Sequence, residues 1–314
     1  MSERPPQAVL WDFLRGSLMS KALAAVVDTG VPEALADGPR PVSELGGDPD
    51  TLHRLLRALA SDGVFSETEP GVFEHTDSSR LLLAPGWSEF AHLFGGVFFA
   101  ATTDLEATTS EAPFPQRFGI GFWEWLVEHP AERAAFDAAM AGERLRPAER
   151  LAALDWRDGE LVVDVGGGNG ALLAELIGRR PELRGIVLDL PETVRDEAAL
   201  GDRIEFVEGS FFDAVPEGDA YVLSGILHDW PDEDAARILR TMRAAAPPHA
   251  RLLINESVIR PGNDADGAKW LDLLMLVLAG GRERDEEQWR QLLASTGWKA
   301  VAFPEHGPIE ARAV

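Results

Sequence analysis

The chain has 314 residues, 45% of them hydrophobic and 26% charged, which is ordinary for a soluble protein of about two domains. Its net charge of −24 argues against nucleic acid or an anionic membrane as a partner and suits a neutral or cationic small molecule. The lack of cysteine excludes disulfides, thiolate metal sites and a cysteine nucleophile. With no signal peptide and no membrane-length apolar run visible, we expect a cytoplasmic protein.

The first 90 residues predict a small helical domain. Residues 8–37 have the apolar spacing of two helices. Asp48 is expected to cap a helix over Pro49–Ser61, and residues 64–76 predict a β-hairpin. Helix, helix and hairpin in this order are typical of a winged helix, so residues 1–90 are assigned to a winged-helix-like domain.

Residues 91–150 predict a helical region that is rich in aromatic side chains. A buried helical core explains the pattern, and so does an apolar pocket for a planar ligand. The two interpretations are compatible and both stay open. The aromatic residues in and beside this region are Phe90, Phe94, Phe98, Phe99, Phe114, Phe118, Phe122, Trp123, Trp125 and Phe136.

Residues 151–314 predict an α/β domain, because apolar strands alternate with amphipathic helices. Strands with near-continuous apolar runs indicate a parallel sheet that is covered on both faces. Strands are expected over 160–165, 184–190, 203–210, 219–228 and 250–259, with helices over 171–180, 192–200 and 231–246, and a helix and two short strands in the tail.

A glycine turn follows the first of these strands, in the segment DVGGGNGALLAEL. Gly166, Gly168 and Ala171 satisfy the G-x-G-x-x-G/A pattern of dinucleotide-binding turns, whereas Gly166, Gly168 and Gly170 satisfy G-x-G-x-G. The glycines therefore predict close approach of a ligand to a helix N-terminus without naming the ligand.

Two carboxylates beside the turn distinguish between the ligands. Asp164 lies two residues before Gly166, where a carboxylate suits a cation better than a pyrophosphate. Asp189 ends the next strand, where an acid accepts hydrogen bonds from ribose hydroxyls. Together they favour S-adenosylmethionine (SAM), which carries a ribose and positive charge but no phosphate. The alternative is that Asp164 only caps the turn.

His228 follows a buried strand and is the strongest candidate for a catalytic residue. Ligands of open parallel sheets bind outside the carboxyl ends of the strands, so His228 and the glycine turn share one edge. An imidazole that titrates near neutral pH is suited to act as a general base. Glu256 and Glu283 follow the next strand and precede the next helix, and they either orient this imidazole or are solvated loop acids.

The ordered motifs DVGGGNG, LDLPETV, EGSFFDAVP, LSGILHDWPDEDA, LLINESVI and LLMLVLAGGRERDEEQW resemble the SAM-dependent O-methyltransferases of the caffeic acid and flavonoid type. The bacterial branch that modifies aromatic polyketides and other secondary metabolites is the most similar. The resemblance implies a Rossmann-like seven-stranded methyltransferase sheet in residues 151–314. It also implies a homodimer formed by the N-terminal domain, in which the partner subunit helps to close the active site.

The resemblance further implies roles for individual residues. His228 would be the base, flanked by Glu256 and Glu283, with no metal. The expected cofactor contacts, to SAM and its product S-adenosylhomocysteine, are Asp164, Gly166, Gly168, Asp189, Leu190, Ser210, Phe211, Ser224 and Trp230. The expected substrate contacts are Phe136, Met140, Trp123, Asp229 and Met275. Ser210 stands where the family often has aspartate, which we expect to change the adenine contacts modestly.

The predicted reaction is methyl transfer to a phenolic or enolic hydroxyl of an aromatic small molecule. The alternative is a SAM-binding enzyme of the same fold that catalyses hydroxylation, decarboxylation or a pericyclic reaction. A winged-helix regulator is disfavoured by the acidic charge and by the few arginines of residues 48–62. A nicotinamide-dependent reductase is disfavoured by Asp164.

Overall fold

A computed structural model describes residues 5–107, 111–143, 145–191, 193 and 201–314 of the chain. Two compact units are present. The first comprises Met1–Leu105 and Glu124–Gly142, and the second comprises Glu106–Trp123 and Glu143–Val314. Within the described ranges, no helix has both the length and the apolar character that a membrane span requires.

The helices and strands follow one another in a helical first part and an alternating second part. The α-helices are α1 (Pro6–Asp28), α2 (Val31–Ala34), α3 (Pro49–Ser61), α4 (Asp77–Arg80), α5 (Trp87–Gly95), α6 (Val97–Thr102), α7 (Pro113–Phe118), α8 (Phe122–Glu128), α9 (Pro130–Glu143), α10 (Leu145–Ala152), α11 (Ala171–Arg179), α12 (Asp232–Ala245), α13 (Gly267–Ala279) and α14 (Glu286–Ser295). The strands are β1 (Arg40–Pro41), β2 (Phe65–Glu69), β3 (Val72–His75), β4 (Leu161–Val165), β5 (Arg184–Asp189), β6 (Ile204–Glu208), β7 (Ala220–Ser224), β8 (Arg251–Asn255), β9 (Val258–Ile259), β10 (Arg284–Asp285), β11 (Trp298–Ala302) and β12 (Ile309–Ala313).

The first unit contains the predicted winged helix. The Asp48 side chain accepts a hydrogen bond from the Thr51 amide at 2.9 Å, which confirms the predicted cap of α3. Strands β2 and β3 form the predicted hairpin, and β1 joins it in a three-stranded antiparallel sheet. The buried leucines of α3 pack with Phe65 and Phe73 of the hairpin in one apolar core.

Helix α1 exposes an apolar surface that the first unit itself does not cover. Its large side chains are between 63% and 73% exposed, far more than is usual for a cluster of this size on an isolated domain. Such a surface is typical of a helix that packs against a second chain. The five residues, named here the α1 apolar surface, are Leu10, Trp11, Phe13, Leu14 and Leu18.

The second unit is built on a seven-stranded sheet in the order β11-β12-β8-β7-β4-β5-β6. The five strands from β8 to β6 are parallel, as the apolar runs predict. Beyond β8, strand β12 runs antiparallel to both of its neighbours, β8 and β11. Helices cover both faces of the sheet, because each face has its own apolar cluster of strand and helix residues. The Rossmann-like fold class is therefore confirmed, with a mixed sheet rather than a fully parallel one.

The strand order reverses direction between β4 and β7, which are neighbours in the sheet. In open α/β sheets the crevice at such a switch point is where ligands bind, at the carboxyl ends of the strands. The glycine turn follows β4, and His228 follows β7. The topology therefore brings the two predicted parts of the site to adjacent strand ends.

Some elements were not predicted from the sequence. Helix α13, strand β10 and the parallel pairing of β10 with β9 are found only in the structure, and the strand expected over 250–259 is interrupted between β8 and β9. The segment 219–228 ends as a strand at Ser224 and then forms a 3₁₀ turn over Leu227–Asp229. The helix expected over 192–200 lies outside the described residues, except for Thr193.

Candidate active site

The glycine turn owes its shape to backbone conformations that favour glycine. Gly166, Gly168 and Gly170 have φ angles of 72°, 61° and 80°, in the left-handed region that other residues rarely adopt. The Gly166 amide donates to the Leu188 carbonyl at 2.8 Å, which fixes the start of the turn to strand β5. Helix α11 begins directly after Gly170, so the turn lies at a helix N-terminus.

The two predicted acids lie on either side of this turn. Asp164 is buried, and a Cβ atom at Gly167 would lie 2.6 Å from its Oδ2, so the turn packs directly on this carboxylate. Asp189 accepts a hydrogen bond from the Gly168 amide at 2.7 Å and another from the Leu190 amide at 2.7 Å. Asp189 thus also holds the turn itself, a structural role that the sequence pattern did not predict.

The remaining predicted cofactor residues surround the same strand ends. A Cβ atom at Gly166 would lie 3.5 Å from the Phe211 ring. The Phe211 and Trp230 rings pack edge to face, with centroids 6.1 Å apart. Ser210 accepts a hydrogen bond from the Phe212 amide, and Ser224, at the end of β7, accepts one from Asn255 at 3.0 Å.

The residues at this edge suit SAM better than a phosphate-containing cofactor. The segment from Asp164 to Ala171 contains no lysine or arginine, so no side chain in the turn neutralises a pyrophosphate. A buried carboxylate beneath the turn instead favours a positively charged ligand. The positive φ angles let the main chain approach such a ligand closely.

His228 lies in the 3₁₀ turn that follows β7, and Glu283 holds its imidazole. Nδ1 of His228 lies 2.6 Å from Oε1 of Glu283, a short charge-assisted hydrogen bond. The side chain of Glu283 is buried, so it is no solvated loop acid. Nε2 of His228 lies 3.6 Å from Oδ1 of Asp229, which adds a second carboxylate beside the ring.

Glu256 shapes the turn that carries His228. Its Oε1 accepts hydrogen bonds from the main-chain amides of Ile226 and Leu227, at 3.1 and 2.5 Å. The second carboxylate oxygens of Glu256 and Glu283 are buried and have no hydrogen-bond partner among the residues that the structure describes. The parallel pairing of β9 with β10 explains how the two glutamates meet, because each precedes one of these strands.

The carboxylates dominate the electrostatics of the cluster. Burial by itself lowers the pKa of His228, but the charges of Asp229, Glu256 and Glu283 outweigh it and raise the pKa to about 10. Burial also raises the pKa of Glu256, although the positive charges of His228 and Arg284 oppose that rise. The cluster therefore holds protons strongly, and its imidazole is a strong base.

The same three side chains have the composition of a metal site. Ligand atoms of His228, Glu256 and Glu283 all lie within 4.8 Å of one another. However, Nδ1 of the histidine and one oxygen of each glutamate already make hydrogen bonds within the protein. This arrangement favours a hydrogen-bonded base over metal coordination.

The predicted substrate residues fall in both compact units. Met275 is buried in α13, and Trp123 is half-buried and packs against Phe122 with ring centroids 5.1 Å apart. Both belong to the second unit, as does His228. Phe136 and Met140 are half-buried on α9 in the first unit. Their contacts with a substrate stay predictions.

Two further residues support the cluster and were missed in the sequence. Asp272 on α13 accepts a hydrogen bond from the Glu283 amide at 2.8 Å. Arg284 is fully buried beside the His228 turn. The neighbouring sequence does not indicate either residue, because Asp272 lies on helix α13 and Arg284 lies on β10, and neither element was predicted.

Comparison with known proteins identifies the chain. The O-methyltransferase domain family matches residues 99–299, and the O-methyltransferase dimerisation domain family matches residues 11–85. The chain belongs to the O-methyltransferase family. It is a SAM-dependent O-methyltransferase, as the sequence motifs predicted.

The relatives of this methyltransferase include enzymes of bacterial secondary metabolism. It is 36% identical to the phenazine O-methyltransferase PhzM of Lysobacter antibioticus, with 94% of this chain and 91% of that protein covered. The solved structure of LaPhzM superimposes with a TM-score of 0.91 at 34% identity and covers 99% of this chain and 100% of that one. NcsB1 from neocarzinostatin biosynthesis, crystallised with SAM and 2-hydroxy-5-methyl naphthoic acid, has a TM-score of 0.81 at 32% identity and covers 94% of this chain and 96% of that one.

Proposed function

We propose that this methyltransferase methylates a phenolic or enolic hydroxyl of an aromatic small molecule, with His228 as the general base. The observation that carries the proposal is the hydrogen bond between Nδ1 of His228 and the buried Glu283, at the carboxyl end of β7. Because Nδ1 is bound to Glu283, Nε2 is the ring nitrogen that can accept the proton of the hydroxyl.

The residues of the cluster have different roles in deprotonation of the acceptor. His228 takes the proton of the acceptor hydroxyl at Nε2, and the charges of Glu283, Glu256 and Asp229 stabilise the imidazolium that results. SAM, when bound, supplies the methyl group. We propose that Asp164, Gly166, Gly168 and Asp189 hold the cofactor, together with Leu190, Ser210, Phe211, Ser224 and Trp230.

An aromatic acceptor is supported by the side chains available and by the relatives. One relative of this enzyme is named for a phenazine, and another was crystallised with a naphthoic acid. We propose that Trp123, Phe136, Met140 and Met275 contact the acceptor ring and that Asp229 lies near its hydroxyl. A cytoplasmic location and the absence of a nucleic-acid partner stay predictions from composition.

A turnover assay tests the proposed reaction. Purified enzyme is incubated with methyl-labelled SAM and a panel of planar phenols that includes hydroxyphenazines and hydroxynaphthoic acids. We expect labelled methyl ether and S-adenosylhomocysteine in equal amounts with at least one phenol. If the substrate is instead converted to an unmethylated product in the presence of SAM, the result would support the alternative chemistry of hydroxylation, decarboxylation or a pericyclic reaction.

We also propose that the enzyme is a homodimer formed through the α1 apolar surface. The match of residues 11–85 to a dimerisation domain family supports the proposal, and so does the exposure of Leu14 and its apolar neighbours. Leu14→Glu should shift the sedimentation of the enzyme from dimer to monomer, because a charge in a desolvated interface is costly. Glu128→Gln, at an exposed position of helix α8, should leave the dimer intact.

A further inference from the structure

Arg284 is a fully buried arginine whose guanidinium lies under the turn that carries His228. Its Nη1 donates to the Leu227 carbonyl at 3.0 Å, and its Nη2 donates to the Trp230 carbonyl at 3.0 Å. These two carbonyls flank the His228-Asp229 pair. One planar side chain therefore holds both ends of the turn that carries the imidazole.

The guanidinium is fixed on its other sides as well. Nε donates to Oδ1 of Asp232 at 2.9 Å, at the first residue of α12. The guanidinium carbon lies 5.2 Å from the centroid of the Trp289 ring, within the range of a cation–π contact. A lysine has a single ammonium group, which cannot reproduce these three divergent hydrogen bonds.

The chain segment before Arg284 follows the same turn. A Cβ atom at Gly281 would lie 2.0 Å from the His228 carbonyl, so only glycine lets the segment pass there. The Arg282 amide donates to that carbonyl at 2.8 Å. Glu283 then binds the imidazole, and Arg284 binds the main chain on either side. One segment thus fixes the imidazole relative to its own backbone.

We propose that Arg284 is a positioning residue for the general base, which holds residues 227–230 so that His228 keeps its hydrogen bond to Glu283. The inference rests on the proposed role of His228 as base. Displacing a catalytic group by about 1 Å can cost about 100-fold in rate. The guanidinium acts through the placement of His228, without contact with either substrate.

The experiment compares Arg284→Lys and Arg284→Met with two variants of its exposed neighbours. Asp232→Ala removes the acceptor that anchors Nε of Arg284, at a position that is itself exposed. Arg282→Gln keeps the main-chain amide that donates to the His228 carbonyl and removes only the side-chain ion pair of Arg282 with Asp232, which measures 2.9 Å. Each variant is assayed for kcat, for the dissociation constant of S-adenosylhomocysteine and, by NMR, for the downfield Nδ1 proton of His228.

We expect kcat to fall about 10- to 100-fold in both Arg284 variants, with the S-adenosylhomocysteine affinity changed less than about twofold and the Nδ1 proton signal lost. Asp232→Ala should show the same pattern with about a threefold fall in kcat, and Arg282→Gln should match the wild type. Rescue of kcat by lysine but not methionine would overturn the proposal, because charge alone would then suffice.

Two other outcomes also decide the question. If the Arg284 variants do not fold, as judged by circular dichroism, Asp232→Ala provides the test: a wild-type kcat and a wild-type Nδ1 signal of His228 in this variant would overturn the proposal. If His228→Ala keeps full activity, the proposed base is wrong. The Nδ1 signal of His228 in Arg284→Lys then still shows whether Arg284 positions the imidazole, because that signal does not depend on turnover.

Discussion

The glycine turn and the turn that carries His228, named here the histidine turn (Leu227–Asp229), lie at the ends of the neighbouring strands β4 and β7. They are built differently. The glycine turn depends on main-chain conformation, with three left-handed glycines and one carboxylate that binds an amide. The histidine turn depends on charged side chains: Asp229 lies in the turn itself, and Glu256 and Glu283 come from two distant segments. The first turn is therefore sensitive to backbone shape, and the second to the placement of charge.

The largest expected effect is the loss of the base. His228→Ala should lower kcat by about 10²- to 10⁴-fold, which is the usual contribution of a positioned general base. The affinity for S-adenosylhomocysteine, measured by calorimetry, should stay within about twofold of the wild type, since the glycine turn is separate. His306→Ala, at an exposed histidine, is the control. An unchanged kcat in His228→Ala would contradict the proposed mechanism.

Glu283→Gln should have the next largest effect. Glutamine can still accept the hydrogen bond from Nδ1, but it carries no charge to stabilise the imidazolium. We expect kcat to fall about 10- to 100-fold. Glu287→Gln, an exposed neighbour on α14, should leave kcat unchanged. Equal loss of cofactor affinity and kcat in Glu283→Gln would show that the two turns do not act separately.

The pH dependence of kcat/KM tests the charges around the imidazole. The base must be neutral, so kcat/KM of the wild type should rise with pH towards the His228 pKa of about 10. Asp229→Asn removes a charge that raises this pKa, so the rising limb should move to lower pH by about one unit. Asp264→Asn removes the same charge at an exposed loop and should not move the limb. A limb that moves to higher pH would contradict the electrostatic argument.

The two turns also differ in how far the sequence predicts them. The glycine turn could be recognised because Gly166, Gly168 and Gly170 directly follow an apolar strand, and each needs a backbone conformation that favours glycine. Only the second role of Asp189, as an acceptor for the Gly168 amide, required the structure. Local sequence defines this turn because its contacts come from the ends of two adjacent strands.

The histidine turn could be predicted only in part. The position of His228 after a buried strand suggested a base, and Glu283 was a candidate to orient it, but Arg284 lies in the polar run RERDEE, where nothing local distinguishes it from Arg282. Where β9 pairs with β10, Glu283 and Arg284 are buried, whereas the Arg282 side chain is 44% exposed. The directions of β11 and β12 were likewise not predictable, since a short strand carries no sequence signal for the orientation of its partner.

The smallest expected effect comes from the glycine turn and completes the comparison. Gly168→Ala places a side chain at a φ of 61°, which costs about 1 kcal/mol and should raise the dissociation constant of S-adenosylhomocysteine about fivefold. Gly178→Ala is the matched control, because its Cβ meets nothing within 4 Å in helix α11, and it should leave the affinity unchanged. The rising limb of kcat/KM should keep its wild-type pH in both variants. A shifted limb in Gly168→Ala would mean that the shape of the backbone at β4 sets the protonation of the base at β7, and the two turns would then be one coupled unit.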